Sequence, residues 1–273
     1  VSGRWRVTFM EEDSSTSQAV GEFSQDGSKL KGTFLTPTGD YRFLAGEVKD
    51  SVMYLSCFDG GHAFLFKAKM GNDGKLSGDF WSGTQWHETW TAIRDESAAL
   101  PDAYSLTYLN EGYDKISFSF PDADSNIVSL EDNRFRGKVV ILVIAGSWCP
   151  NCNDEARFLA PFYKKNRDNG LEIIGLMYEH FKDFPAAAQQ VRRFKKKYHI
   201  EYELLVAGYS DKKDAAETLP MINHVLSYPT TIFIDRKGEV RKIHTGFTGP
   251  GTGYHYEKLT REFSEFTDLL LNE

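Results

Sequence analysis

The sequence predicts two domains of different fold class: an all-β antiparallel barrel or sandwich of about eight strands, followed by an α/β domain. The chain has 273 residues, which at roughly 150 residues per domain suggests two domains. Short runs of alternating polarity fill residues 1–95, whereas strand-length and helix-length patterns alternate from about residue 114 onward. We therefore assign 1–95 to the β domain, 96–113 to a linker and 114–273 to the α/β domain.

The first domain shows the period of two that is typical of half-buried strands. Trp5, Val7 and Phe9 are apolar and the residues between them are polar, and successive side chains of a strand point to opposite faces. Turn sequences such as Asp26-Gly27 and Asn72-Asp73-Gly74 separate similar runs. After the first strand we predict further strands at 19–24, 29–35, 41–48, 51–58, 62–70, 76–82 and 85–94.

The second domain alternates strands and helices, which predicts a mixed sheet flanked by helices. Residues 138–145 (KVVILVIA) are almost entirely apolar, as is typical of a central strand buried on both faces. We predict a hairpin at 116–120 and 127–130, strands at 138–145, 171–178, 203–207, 230–235 and 239–244, and helices at 150–167, 185–198, 215–225 and 256–271.

Charge and hydropathy argue against two classes of partner. The formal net charge of −7 opposes binding of nucleic acid, and no run approaches the roughly 18 apolar residues of a membrane span. The basic run 192–197 coincides with a predicted helix in which Val191, Phe194 and Tyr198 share one face. We interpret its charges as the solvent-exposed face of an amphipathic helix.

Two of the three cysteines form the sequence Cys149-Pro150-Asn151-Cys152, directly after the predicted central strand. A sulfur at a helix N-terminus faces unpaired N–H donors and the positive end of the helix dipole, which stabilise a thiolate. The spacing places both sulfurs on one helix face, where Cys149 can attack a substrate disulfide and Cys152 can resolve the mixed disulfide. A structural pair of buried thiols is the alternative. Zinc would require a second Cys or His pair, so we expect no metal.

Residues from about 114 to 273 resemble the thioredoxin-like domain of the TlpA/ResA family of thiol–disulfide oxidoreductases, close to the redoxin branch. The resemblance rests on FSFPD at 118–122, RGKVV at 136–140, WCPNC at 148–152 and YPTT at 228–231. It does not extend to residues 1–95. It implies a thioredoxin-like fold and an enzyme that exchanges disulfides in other proteins.

The resemblance also implies residues that contact the substrate. Pro229 takes the position of a cis-proline that faces the cysteines, which would expose the backbone of Tyr228 to an incoming substrate segment. An ordinary trans proline at a strand start is the alternative. Trp148, directly before Cys149, is the third residue that we expect to contact substrate.

Two glutamates match positions of the family. Glu155, three residues after Cys152, takes the place of the family's proton-relay glutamate, and a half-buried carboxylate there would have a raised pKa and could accept the proton of Cys152. A solvated first-turn glutamate that favours the helix dipole is the alternative. Glu179 resembles a second family glutamate. Asn151 departs from the pattern, because the family commonly has a second proline between the cysteines.

A thioredoxin-like peroxidase of the AhpC/TSA type is the nearest alternative enzyme. Such peroxidases carry the motif Pro-x-x-x-Thr/Ser-x-x-Cys, but Gly146 and Leu142 stand three and seven residues before Cys149. Cys152 does not match the motif either. We expect a direct assay of peroxide consumption to distinguish the two activities.

We expect a reductant of the periplasm or cell envelope. The chain begins Val1-Ser2-Gly3, which we interpret as an exported protein whose signal segment is absent from this chain, with a membrane anchor in the full-length protein as an alternative. The expected partners are a protein disulfide substrate and an upstream thiol electron donor, with no nucleic acid, no metal and no cofactor besides the redox-active cysteine pair.

The sequence indicates the function of the first domain less directly than that of the second. We expect a partner-docking module or a homodimer interface, and the alternative is a barrel that binds a lipid, a sugar or a protein with the redox module tethered to it. Cys57 is expected to be a buried, inert thiol because it shares a strand face with Met53 and Leu55. Glu88 shares a strand face with Trp86 and Trp90 and lies either on the solvent face or, as a polar group, in a barrel cavity.

Overall fold

The computed structural model describes residues 1–11 and 13–273, which fall into two compact units. The first unit comprises Val1–Pro101 together with Thr248–Glu257, and the second comprises Asp102–Phe247 together with Lys258–Glu273. The chain therefore returns to the first unit near its C-terminal end. Among the described residues, no helix combines the length and apolar character needed to cross a membrane.

The first unit is a closed antiparallel barrel. Each main strand pairs with the next along the chain, and β1 pairs with both β2 and β9, which closes the sheet. The two-residue strand β4 pairs only with β3, so eight strands form the barrel proper within the described residues. The predicted all-β antiparallel barrel is confirmed. Its strands are β1 (Gly3–Met10), β2 (Thr16–Asp26), β3 (Lys29–Thr36), β4 (Gly39–Asp40), β5 (Leu44–Lys49), β6 (Val52–Phe58), β7 (Ala63–Met70), β8 (Leu76–Ser82) and β9 (Trp86–Arg94).

Aromatic side chains fill the interior of the barrel. The ring of Phe66, which has no exposed surface, stacks on Phe34 and Phe80 with centroids 4.5 and 4.3 Å apart. Trp90 meets Phe34 edge to face at 5.3 Å. Glu88 is also buried, and its carboxylate accepts a hydrogen bond of 2.8 Å from the indole N–H of Trp86. Of the two alternatives for Glu88, the structure therefore selects the interior.

The second unit is an α/β fold around a mixed five-stranded sheet in the order β14-β13-β12-β15-β16. β12, β13 and β14 are parallel, and β15 and β16 run antiparallel to them. This confirms the predicted thioredoxin-like architecture. The elements are β10 (Ser119–Pro121), β11 (Ile127–Ser129), β12 (Val139–Ala145), α1 (Pro150–Asn166), β13 (Leu171–Glu179), α2 (Phe184–Lys197), β14 (Glu203–Tyr209), α3 (Lys212–Glu217), β15 (Thr230–Ile234), β16 (Val240–Thr245) and α4 (Tyr254–Asn272).

Helix α3 differs from its prediction. We expected a helix over 215–225, but α3 covers Lys212–Glu217. It begins earlier because the carboxylate of Asp211 accepts hydrogen bonds from the backbone N–H groups of Lys213 and Asp214, at 2.9 and 3.1 Å. It ends earlier because Pro220 has no N–H to continue the helical ladder.

Candidate functional site

Cys149 and Cys152 lie at the N-terminus of α1, just beyond the end of β12. They form a disulfide whose Cα atoms are 5.2 Å apart. Cys149 is the N-cap residue of α1, and its sulfur accepts a hydrogen bond of 3.2 Å from the backbone N–H of Cys152. Pro150 occupies the first turn, where its missing N–H costs no helical hydrogen bond. After reduction, this position would stabilise negative charge on Cys149.

The peptide bond between Tyr228 and Pro229 is cis and lies directly beside the disulfide. The carbonyl oxygen of Tyr228 is 3.2 Å from Sγ of Cys149. The ring of Tyr228 is buried and meets the ring of Trp148 edge to face at 5.5 Å. Its hydroxyl oxygen is buried and has no hydrogen-bond partner among the described residues. The structure therefore brings Trp148, Tyr228 and Pro229 together around Cys149.

Trp148 is held in place from two sides. Its indole N–H donates a hydrogen bond of 2.9 Å to the carbonyl oxygen of Tyr178 at the end of β13. Its ring stacks on His180 with centroids 4.3 Å apart, and Nδ1 of His180 lies 2.6 Å from the hydroxyl of Ser210. Burial lowers the pKa of His180, which favours a neutral imidazole against the indole.

Glu155 is enclosed within the second unit, 1% exposed. One carboxylate oxygen accepts a hydrogen bond from the hydroxyl of Thr231, and the other has no partner among the described residues. Glu155 and Cys152 line the same small cavity of about 10 Å³. Burial raises the pKa of Glu155 to about 8. Because Glu155 is buried, the alternative of a solvent-exposed glutamate in the first turn of α1 is excluded.

Glu179, at the end of β13, is equally buried but fully bonded. Its two carboxylate oxygens accept hydrogen bonds from the backbone N–H and the hydroxyl of Ser147, at 2.9 and 2.6 Å. Burial raises the pKa of Glu179 as well. Because Ser147 precedes Trp148 and Cys149, Glu179 holds the segment that carries these two residues, whereas one oxygen of Glu155 has no hydrogen-bond partner among the described residues.

Sequence reasoning missed two polar contacts of the site. The side-chain amide of Asn153 donates a hydrogen bond of 2.7 Å to the carbonyl oxygen of Cys149, and the hydroxyl of Tyr198 donates to the amide oxygen of Asn153. Thr231, the partner of Glu155, is the last residue of the YPTT segment, for which the sequence predicts a role only for Tyr228 and Pro229. Within the described residues, no group of three or more His, Cys, Asp or Glu side chains could hold a metal ion.

Comparison with known proteins finds relatives for the part of the chain that carries this geometry. Residues 112–243 match the AhpC/TSA family. Over 138 residues the chain is 28% identical to the thiol–disulfide oxidoreductase ResA of Bacillus subtilis (strain 168), a match that covers 50% of this chain and 69% of that protein. It is 29% identical to the thioredoxin-like protein YneN of the same organism over 138 residues, 50% of this chain and 73% of YneN.

Solved structures are similar to part of this chain. A thiol:disulfide interchange protein of the thioredoxin family from Chlorobium tepidum TLS has 18% sequence identity and a TM-score of 0.44, and the match covers 59% of this chain and 98% of that one. The family match and the ResA relatives identify residues 112–243 as a redoxin-type thioredoxin-fold domain, and the chain as a thiol–disulfide oxidoreductase.

Proposed function

We propose that this chain reduces disulfides in other proteins by a two-step exchange at Cys149 and Cys152. In the reduced enzyme the Cys149 thiolate attacks a substrate disulfide, forms a mixed disulfide and releases the first substrate thiolate. Cys152 then attacks the sulfur of Cys149 and releases the second. The substrate gains two electrons, and the cysteine pair becomes the disulfide. Trp148 and the backbone around the Tyr228–Pro229 bond contact the substrate segment in this scheme.

Glu155 takes the proton of Cys152 in the second step. A general base works best when its pKa lies near the working pH, and burial raises the pKa of Glu155 to about 8. The observation that carries this assignment is the shared cavity: Cys152 and Glu155 line the same small space, and one carboxylate oxygen of Glu155 is buried without a hydrogen-bond partner among the described residues. Thr231 is the positioning residue that orients the carboxyl group through the other oxygen.

Serine substitutions at the cysteines test the exchange. We expect Cys149→Ser to abolish insulin reduction, because the N-cap thiolate that attacks the substrate disulfide is lost. Cys152→Ser should instead accumulate a mixed disulfide with the substrate, detectable by non-reducing electrophoresis and mass spectrometry. Cys57→Ser, the same change at a half-buried thiol of the first unit, is the matched control and should retain full activity. Normal turnover by the Cys149 variant would rule out this mechanism.

The direction of electron flow follows from the reduction potential of the cysteine pair. We propose a reductant in the cell envelope, supplied by an upstream thiol donor, and the sequence similarity to ResA supports this placement. Equilibration of the pair with glutathione measures the potential, and a value well below the glutathione couple is expected. A value well above it would indicate an oxidant. Fractionation of cells that express the full-length protein tests the location.

Peroxide reduction is the second candidate, favoured by the match to the AhpC/TSA family. Neither cysteine follows the peroxidase motif, so we expect no catalytic consumption of hydrogen peroxide in a direct assay. For the first unit we propose a docking or dimerisation role, because its interior is filled by its own aromatic side chains. Sedimentation of the whole chain over a range of concentrations tests dimerisation.

A further inference from the structure

A group of cations lies where the C-terminal end of α2 meets α1. We call it the cationic seam and define it by Arg157, Lys164, Lys195, Lys196 and Lys197. Residues 182–199 contain six Lys or Arg residues and a single Asp, in a chain with 39 acidic and 32 basic residues. The apolar face of α2 is buried as predicted, but the amphipathic pattern does not account for why its outer charges all have one sign.

The seam begins beside the active-site cysteine. Asn153, one helical turn after Cys149, bonds the Cys149 carbonyl oxygen and accepts a hydrogen bond from Tyr198. The guanidinium carbon of Arg157 lies 5.5 Å from the centre of the Tyr198 ring, and the ammonium nitrogen of Lys197 lies 4.9 Å from it. Two cations are therefore linked to Cys149 through only two intervening side chains.

Three members of the seam, Lys164, Lys195 and Lys196, also line an open groove of about 510 Å³, together with Arg192 and Glu201. Arg157 and Lys164 share one face of α1, because they are seven residues apart. Lys164 stands near the C-terminal end of α1, roughly 22 Å along the helix from Cys149, so Arg157 and Lys197 are the cations that connect the seam to the disulfide.

Part of the positive charge has no partner. Arg157 pairs with Asp154 at 3.0 Å, and Lys164 pairs with Glu201 at 2.7 Å. Glu201 also bonds Arg167. In contrast, Lys196 and Lys197 are exposed and form no ion pair with any described residue, whereas Lys195 is half-buried and helps to lower the pKa of Asp122. Exposed like charges at close spacing repel each other, and an anionic ligand would relieve that repulsion.

We propose that the cationic seam binds an acidic segment next to the substrate's disulfide, so that the preferred substrates carry Asp or Glu residues close to the bond to be reduced. The proposal rests on the disulfide exchange proposed above. Since the chain as a whole has a net charge of −7, the attraction acts locally and selects the sequence around the disulfide rather than the total charge of the substrate. Complementary charge at the contact raises the association rate.

Peptides that differ only in charge test this substrate class. Each contains one internal disulfide flanked by three Glu, three Lys or three Ser residues, and uncharged hydroxyethyl disulfide serves as a small substrate. We expect the reduced protein to react with the Glu peptide roughly tenfold faster than with the Lys peptide at low ionic strength. The difference should shrink in high salt, because salt screens exposed charges.

The variant Lys196→Glu/Lys197→Glu should lose the preference for the Glu peptide and keep the wild-type rate with hydroxyethyl disulfide. Its matched control is Lys115→Glu/Lys237→Glu, which makes the same charge change at two exposed residues. Lys237 lies in the turn between β15 and β16 at the opposite edge of the sheet, and Lys115 follows Asp114, whose carbonyl oxygen accepts a hydrogen bond from Val240 of β16. The control should keep the preference. If both variants lose the preference for the Glu peptide equally, the total charge of the protein determines that preference. This result would overturn the proposal.

Binding measurements separate this proposal from the proposed function. The same peptides with Ser in place of both Cys are titrated against the wild type and both variants, so that binding is measured even if no disulfide is reduced. Failure to reduce any disulfide contradicts the exchange reaction, whereas equal affinity for the Glu and Lys peptides contradicts the seam. Self-association that the Lys196→Glu/Lys197→Glu variant abolishes, without any peptide preference, would assign the seam to a second copy of the chain and overturn the proposal.

Discussion

The interior of the barrel and the surroundings of the disulfide bury their residues in opposite ways. In the barrel, rings pack against rings, and buried Glu88 is hydrogen bonded to Trp86. Around the disulfide, Glu155 and Tyr228 each bury an oxygen that has no partner among the described residues. A buried polar atom without a partner costs about 1–3 kcal/mol of stability. The comparison indicates that packing in the barrel interior favours stability. The polar groups buried around the disulfide lower stability in favour of reactivity.

The largest expected effect concerns Glu155, whose pKa in the folded protein is about 8 against an ordinary value of 4.5. The folded state therefore holds a proton that the unfolded state releases between these pH values, so the free energy of unfolding falls as pH rises from 4.5 to 8. At about 1.4 kcal/mol per pKa unit, we expect Glu155→Gln to be more stable than the wild type by roughly 5 kcal/mol above pH 8. Denaturant titration of the oxidised proteins across pH measures this difference.

Glu179→Gln is the matched control for Glu155→Gln. Both oxygens of Glu179 accept hydrogen bonds from Ser147, and an amide can accept only one of them. Because burial also raises the pKa of Glu179, removal of its charge and loss of a hydrogen bond act in opposite directions, and we expect a clearly smaller gain in stability above pH 8 than for Glu155→Gln. An equal gain in stability in both variants would contradict the distinction between the two carboxylates.

The second largest effect is expected from Phe66→Ala in the barrel. Phe66 is fully buried and stacks on two other rings, and the loss of a buried Phe side chain costs about 3–5 kcal/mol. We expect the thermal or denaturant transition of the first unit to shift accordingly, while the rate with hydroxyethyl disulfide stays unchanged below that transition. A large loss of the exchange rate would show that the barrel interior also serves the reaction.

The smallest effect is expected from Tyr228→Phe. Removal of a buried hydroxyl without a partner should stabilise the protein by about 1 kcal/mol, measured as an increased unfolding free energy with an unchanged insulin-reduction rate. Tyr178→Phe is the control, because the hydroxyl of Tyr178 lies 2.6 Å from that of Thr218, and its loss should destabilise. Destabilisation by Tyr228→Phe would mean that this hydroxyl has a partner in solution.

Local patterns predicted the strands of the barrel, the buried strand β12 and the cysteine pair at a helix start, because each of these depends on residues close in sequence. Alternation identified Glu88 and Trp90 as residues on one face, but it could not say which face is the interior, since that depends on barrel closure. The bonds from Thr231 to Glu155 and from Tyr198 to Asn153 join residues far apart in sequence. No local pattern specifies such pairs.

The segment Thr248–Glu257 ties the barrel to the end of the chain. The backbone N–H of Gly249 donates a hydrogen bond of 2.6 Å to Asp40, and Nε2 of His255 lies 3.0 Å from the carboxylate of Glu22. A ribosome makes residues 1–101 first and reaches residue 248 only after every strand of the second unit. The domain that is synthesised first is therefore completed last, when the oxidoreductase sheet has already emerged.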